Sequence, residues 1–386
     1  MSSDPLAIEW LTADAALSRL GVARQTLYAY VSRGLIRTRA LPEDPRRSLY
    51  DRHGIDALLE RRKRGRARQA VATSTINFGE PLLTSRITRI ADGRLLYRGR
   101  DAVALSETAS LEDAAALLWD APILPATLPD GYRPGQPGPP ISRCLRHVAE
   151  LAGPGIWARG TGALHGDAAR ALRGIVQAAA DTDAGGPAHI ALATAWRTDA
   201  PGAELIRRAL VLCADHELNA STFTVRVVAS TGASLPNCLL AGLAALSGPL
   251  HGGMTDRVRA LMAEPDMPAE PRKTVEARLA RGETVPGFGQ RLYPGGDPRA
   301  EALLRAFEPP THWRALIAAM DELTGQRPNL DASLVAVEQH LSLPAGSALA
   351  IFAVGRTAGW IAHALEQHQD GRLIRPRAVY TGPGGR

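Results

Sequence analysis

The sequence predicts a mainly all-α protein with a small, separate basic domain at its N-terminus. Three observations carry that expectation. Among 386 residues aromatics make up only 5%, while glycine (37 residues), Ala, Leu and Arg abound, a composition suited to helices packing through small residues. Residues 215–256, DHELNASTFTVRVVASTGASLPNCLLAGLAALSGPLHGGMTD, place two apolar helical patterns between His216 and His251. Residues 1–70 hold 14 basic against 8 acidic residues, which accounts for the whole net charge of +6. A chain of this length can bury a large core and is expected to divide into two or three domains.

Asp4 and Glu9 stand where a signal peptide would be basic and then apolar. The longest apolar run, starting at Cys238 and reaching Leu246 and a little beyond, is too short to span a bilayer. A soluble, cytoplasmic chain with no membrane partner is expected. Cys144, Cys213 and Cys238 lack metal-ligand spacing and read as core residues of a reducing compartment.

In the first seventy residues, Thr12 marks a helix start, Ala15, Ala16 and Leu20 its apolar face, and Gly21 its stop. A second helix is predicted over about 23–33, with Leu27, Tyr28 and Val31 inward and Gly34 closing it. Two short helices joined by a glycine turn are a helix-turn-helix signature. With RRSLYDRHGIDALLERR from Arg46, the segment resembles the winged helix-turn-helix of the MerR and excisionase type. That resemblance puts Arg24, Gln25, Thr26 and Tyr28 on a recognition helix. It sets Arg33, Arg37, Arg39, Arg46 and Arg47 against the phosphates of double-stranded DNA. A helical module for protein contacts or dimer packing is the other reading. RRKRGRAR, residues 61–68, reads as a solvated connector.

From residue 76 to 119 the sequence predicts a short hairpin around Asp92-Gly93 and an amphipathic helix capped near Ser110. Residues 122–140, rich in Pro and Gly, read as loop. Residues 141–208 alternate helical patterns with glycine-rich connections, and His147, His165 and His189 read as structural.

In the central stretch a helix is predicted over 217–230, with Phe223 and Val227 one and two turns beyond Asn219. A second, buried one covers 236–246 and stops at Gly248-Pro249. Met254, Val258 and Leu261 start a new pattern, so His251 and the Gly252-Gly253 pair fall at or just before a helix N-terminus. The partial positive charge there favours a neutral imidazole able to donate to a developing oxyanion. A histidine beside glycines is also an ordinary turn residue.

HELNAST followed about thirty residues later by GPLHGG resembles the citrate synthase family, and further stretches agree in order. VPGFGQRLYPGGDPRAEALL from Val285, RPNLDASL from Arg327, AIFAVGRTAGWIAHALEQ from Ala350 and RPRAVYTGP from Arg375 are similar to that family's motifs, as is DGRLLYRG. The resemblance runs from about Thr73 to the end. It implies a large helical domain (70–253 and 337–386) interrupted by a small one (254–336), after a winged helix-turn-helix domain over 1–69. It implies condensation of oxaloacetate with acetyl-CoA, a co-substrate, with no bound cofactor or metal.

The family pattern makes Asp331 the base for the acetyl methyl group and His251 the donor to the thioester oxygen. Asp331 also reads as an N-cap for a helix over 332–341. Arg299, Arg356 and Arg375 match the family's carboxylate-binding arginines, and His216 a further oxaloacetate ligand. The last arginine reaches a neighbouring subunit in this family, which implies a homodimer. Val285, Pro286, Gly287, Phe288 and Gly289 match the loop around the CoA adenine, where glycines let a flat ring approach the main chain; a tight turn is the plainer reading.

One departure stands out. The family's carbonyl-polarising histidine is Gln290 here, whose amide donates a hydrogen bond but cannot carry a proton. The lysine of the bacterial KNYDPR segment is also missing, with Arg291 nearby as a CoA-phosphate contact. Two readings follow: a citrate synthase-like acyltransferase using acetyl-CoA or a close acyl-CoA, or a DNA-binding regulator whose synthase-like body senses oxaloacetate, citrate or acyl-CoA.

Overall fold

A computed structural model describes residues 9–32, 35–41, 43–56, 58–59, 83–122, 131–153, 161–378, 380 and 382. The chain divides into two compact units, Met1–Thr84 and Ser85–Arg386. The expected boundary at 69/70, the connector 61–68 and residues 76–82 lie outside the described residues, as do Arg33 and Gly34.

In the first unit, Thr12 caps the helix Ala13–Leu20 through its side chain, and Gly21 ends it in the left-handed conformation (φ 60°). The helix Arg24–Ser32 follows. Ala16, Leu20 and Leu27 pack with Ile36, Tyr50 and Ile55 into a small core. Three strands, Trp10–Leu11, Asp44–Asp51 and Thr38–Leu41, form an antiparallel sheet with Asp44–Asp51 in the middle. Two inward assignments are corrected: Ala15 is exposed, and Tyr28 is 54% exposed. Leu27 and Val31, four apart, take the inward stripe, and Tyr28 turns off it.

Among its described residues the second unit has helices and one three-stranded sheet, built by the hairpin Thr88–Ala91 and Arg94–Tyr97 with Arg100–Asp101 at its edge. Asp92 and Gly93 make the turn, both at positive φ. The hairpin serves the segment around His216: Ile90 donates its N–H to Glu217 Oε1 at 2.8 Å, and the Tyr97 hydroxyl donates to the Val211 carbonyl at 3.0 Å. The helix Leu111–Trp119 begins in a full capping box between Ser110 and Asp113.

The helix Ser347–Asp370 is the centre of this unit, packed by Ala200–Cys213, Ala220–Ser230, Leu235–Leu246 and Leu330–His340. It corrects the sequence expectation for the longest apolar segment. It is long and apolar enough to cross a membrane, yet its apolar window is wholly buried within the protein. Two of its glycines explain how close it comes. A Cβ on Gly355 would stand 2.6 Å from the Leu210 carbonyl oxygen, and one on Gly359 2.5 Å from that of Ala214. The Gly359 N–H donates to the same Ala214 oxygen at 2.9 Å. Arg356, between them, is thereby pressed against the end of Ala200–Cys213.

Two helix starts differ from expectation. The helix predicted from 217 begins at Ala220, because Asn219 is its N-cap, accepting from the Thr222 N–H, and Glu217 sits at φ 51°. The helix bearing Asp331 is Leu330–His340, and its N-cap is Asn329, which accepts from the Asp331 and Ala332 N–H groups. Asp331 is therefore inside the first turn with its carboxylate uncommitted to capping.

Candidate active site

Loops, helix ends and the middle of the helix Ser347–Asp370 deliver His216, His251, Arg299, Asp331 and Arg356 to buried positions in the second unit. His251 lies in the turn after Leu235–Leu246, three residues before Met254–Met262, and the Met254 N–H donates to its carbonyl. Its Nε2 is 2.8 Å from Ser221 Oγ, and its ring meets Phe352 edge-on, centroids 5.8 Å apart. Trp360 donates its indole N–H to the same Ser221 oxygen at 3.1 Å. Burial, then the nearby Arg356, push His251 down to about 4, so the ring is neutral at physiological pH. Neutrality was expected from the helix N-terminus; burial is the principal cause.

Asp331 is the counterpart. Its Oδ1 is buried with no hydrogen-bond partner among the described residues. Burial raises its carboxyl to about 7; Arg299 pulls it back and Asp297 adds to the rise. A buried carboxylate oxygen left without a donor costs on the order of several kcal/mol, which no packing role requires.

Arg356 is 1% exposed. Its Nε donates to the Cys213 carbonyl at 2.8 Å and its guanidinium lies over Phe352, 5.0 Å from the ring centre, while Nη2 is buried without a hydrogen-bond partner among the described residues. Arg299 forms a fork with Asp297, Nε to Oδ1 at 2.9 Å and Nη2 to Oδ2 at 2.7 Å. Burial works against its charge, but Asp297 outweighs it and raises the pKa above the usual arginine value. His216 is held well below the usual range by burial first, then by Arg299, Arg356 and His251. Its Nε2 is 3.0 Å from the Tyr293 hydroxyl.

These influences tie His216 to Arg299, Arg356 and His251, His251 to Arg356, and Asp331 to Arg299 and Arg356. The arrangement combines a neutral imidazole, a high-pKa carboxyl and two buried guanidiniums, suited to deprotonating a weak carbon acid beside a bound dianion.

Residues 162–377, more than half of the chain, match the profile described as citrate synthase, C-terminal domain. The chain belongs to the citrate synthase family. Citrate synthase 2 of Bacillus subtilis is 40% identical over 190 residues, 47% of this chain and 51% of that protein. Citrate synthase of Haloferax volcanii is 41% identical over 191 residues, 47% and 50% respectively. The chain thus spans about half the length of the curated relatives it matches. Among solved structures, the ternary complex of carboxymethyl coenzyme A and oxaloacetate with citrate synthase from Thermoplasma acidophilum shares the fold. Its TM-score is 0.66 at 23% identity, over 79% of this chain and 95% of that one.

Within this citrate synthase fold the loop 285–289 pairs with the residues leading to Asp331. Gly289 N–H donates to the Arg327 carbonyl, Asn329 N–H to the Gly287 carbonyl, and Phe288 bridges Pro328. Gly287 needs to be glycine: φ is 86°, and a Cβ would stand 2.8 Å from Val258 Cγ2 and 3.0 Å from Ala332 Cβ. Val285, Pro286 and Gly287 are buried, Phe288 and Gly289 half-buried. Gln290 is half-buried and turns its Oε1 back to the Leu292 N–H at 3.4 Å, so its NH2 is the free end. Arg291 is exposed.

Arg375 is not brought to this cluster. It is exposed on the extended segment 371–378, which Ile374 fastens to Ser230 Oγ at 3.1 Å. In the first unit Arg24, Gln25, Arg37, Arg39 and Arg47 are exposed and Thr26 half-buried, with Arg24 3.3 Å from Asp14 and Arg39 over Trp10. The side chain of Arg46 lies outside the described residues. Ser221, Tyr293, Asp297 and Trp360 were missed by the sequence reading. Each sits inside a quoted motif, but a hydroxyl or carboxylate that serves another side chain leaves no periodic signal.

Proposed function

We propose that the chain condenses acetyl-CoA, or a close acyl-CoA, with oxaloacetate in a Claisen-type reaction, and hydrolyses the thioester to citrate and CoA. The observation that carries this reading is the pair of buried, unpartnered atoms, Asp331 Oδ1 and Arg356 Nη2. One is an acceptor waiting for a proton, the other a donor waiting for an anion.

Asp331 removes a proton from the acetyl methyl group while His251 hydrogen-bonds the thioester oxygen, so no free enolate forms. With the Ser221 hydroxyl turned from Asn219 Oδ1 to donate a hydrogen bond to Nε2, both 2.8 Å away, His251 carries its own proton on Nδ1 and is the donor. The enol carbon attacks the ketone of oxaloacetate, whose carboxylates are held by Arg299 and Arg356 with His216 beside them. Gln290 donates to the ketone oxygen as charge builds there. Water then cleaves the resulting citryl thioester, releasing CoA. The main chain of 285–289 receives the adenine, and the small domain, 254–336, closes on the large one, 70–253 with 337–386. The exposed Arg375 completes the site of a second subunit in a homodimer, and the chain works in the cytoplasm.

An amide is a weaker donor to the growing alkoxide than a charged imidazole. Gln290→His is therefore expected to raise kcat by roughly 10²- to 10³-fold, the range for one oxyanion donor. Steady-state CoA release with oxaloacetate and acetyl-CoA checks this; an unchanged or lower kcat removes Gln290 from the mechanism.

A second reading concerns the first unit. Arg24, Gln25 and Tyr28 are exposed together on a short helix that follows a glycine turn, and Arg37, Arg39 and Arg47 are exposed on or beside an antiparallel ribbon. This supports a winged helix-turn-helix domain that binds double-stranded DNA. Affinity for DNA is expected to fall linearly with salt on logarithmic axes, and Arg47→Ala to reduce that slope by about one. Salt-insensitive or absent binding refutes the reading. A shift of DNA affinity by oxaloacetate marks a regulator that senses this ligand.

A further inference from the structure

Asp297 is fully enclosed and accepts more hydrogen bonds than any role as a helix cap needs. Its Oδ1 accepts from the Arg299 N–H at 3.1 Å, which caps Pro298–Leu304, and from Arg299 Nε at 2.9 Å. Its Oδ2 accepts from Arg299 Nη2 at 2.7 Å and from the Leu330 N–H at 3.2 Å. Leu330 is the residue before Asp331 and opens the helix on which Asp331 stands. One carboxylate thus grips a guanidinium and the first turn of another helix at once.

We propose that Asp297 is a positioning residue that locks Arg299 to the helix start carrying Asp331, setting the dianion site and the base in one fixed relation. This rests on the reading of Arg299 as a carboxylate ligand and Asp331 as the base. The fork occupies Nε and Nη2, so Nη1 is the nitrogen of Arg299 without a partner among the described residues. Arg299 therefore offers substrate its remaining N–H groups, one on Nη2 and two on Nη1, in a set direction. Turning that guanidinium would break the bond to Leu330 or strain the cap.

The same carboxylate also acts on Asp331 by charge. The groups facing Asp331 are Arg299 and Asp297 from Pro298–Leu304 and its cap, Arg356 from Ser347–Asp370, and Cys213 from Ala200–Cys213. On Met254–Met262, Arg259 pairs instead with Glu338. Asp297 keeps Arg299 neutralised and adds a like charge, and both effects hold the Asp331 proton on. Removing the charge of Asp297 lowers the Asp331 midpoint for both reasons.

The test uses the full chain with Asp297→Asn, a melting curve to confirm folding, calorimetric oxaloacetate binding, and carbon-13 NMR titration of the aspartate carboxyls, with Asp331→Asn identifying the signal. Oxaloacetate is expected to bind at least tenfold more weakly and the Asp331 midpoint to fall by about one unit or more. A purely structural role would lower the melting temperature and leave that midpoint in place. A folded Asp297→Asn protein with parental affinity and midpoint overturns the proposal. If Asp297→Asn does not fold, Asp297→Glu decides: its longer arm cannot satisfy the fork and Leu330 together. At least a tenfold loss of affinity is expected, and parental affinity overturns the proposal. Failure of the parent to bind oxaloacetate refutes the reading of the site instead, while the titration still judges Asp297.

Discussion

Asp331→Asn is expected to lower oxaloacetate-dependent CoA release roughly 10³-fold, within the range for loss of a general base, with the KM for acetyl-CoA little changed. The amide is nearly the same size and keeps the helix start, because Asn329, not Asp331, caps it. The pH profile gives an independent check. Burial holds the Asp331 carboxyl at about 7, and only its ionised form takes a proton. In the parent, kcat/KM is thus expected to climb about tenfold per unit below pH 7 and to level off above it. Asp331→Asn removes that limb. A flat profile across pH 6–8 in the parent would contradict the assignment.

Arg356→Lys is the second large effect. The guanidinium spans two jobs, with Nε on the Cys213 carbonyl and Nη2 buried without a hydrogen-bond partner among the described residues. A lysine keeps the charge but has one nitrogen on a flexible stem, so it cannot hold the carbonyl and a carboxylate together. Apparent affinity for oxaloacetate is expected to fall about 10²- to 10³-fold, equivalent to roughly 3–4 kcal/mol, in line with truncating a buried charged hydrogen bond. Acetyl-CoA binding, measured separately, should change much less. Equal losses for both ligands would mean that Arg356 supports the fold and not the dianion.

Much of this site could be read from the sequence because its chemistry sits in short, rigid contexts. His251 lies between Gly248 and Gly253, Arg356 between Gly355 and Gly359, and Gly287 in the loop that pairs with the residues just before the base helix. In each case the glycines allow the close approach that buries the functional group, so spacing carried the information. What was not legible depends on contacts across long separations. The fork from Asp297 to Arg299 is local, but its bond to Leu330 joins residues 33 apart. The Trp360 to Ser221 bond joins residues 139 apart. Tyr28 shows the opposite limit: its spacing suited either face of a nine-residue helix, and only packing against Ile36 and Ile55 decided for Leu27. The helix Ser347–Asp370 does not read as the longest apolar segment because Arg356, His363 and Glu366 interrupt its pattern, and those are the residues whose partners come from elsewhere in the fold.

The most direct measurement is CoA release from acetyl-CoA by the full chain at pH 8, with and without oxaloacetate. Release that needs oxaloacetate and yields citrate is the expected result. Tight binding of both ligands with no CoA released, at a pH where Asp331 is ionised, would contradict the account and leave the second unit a receptor for these ligands.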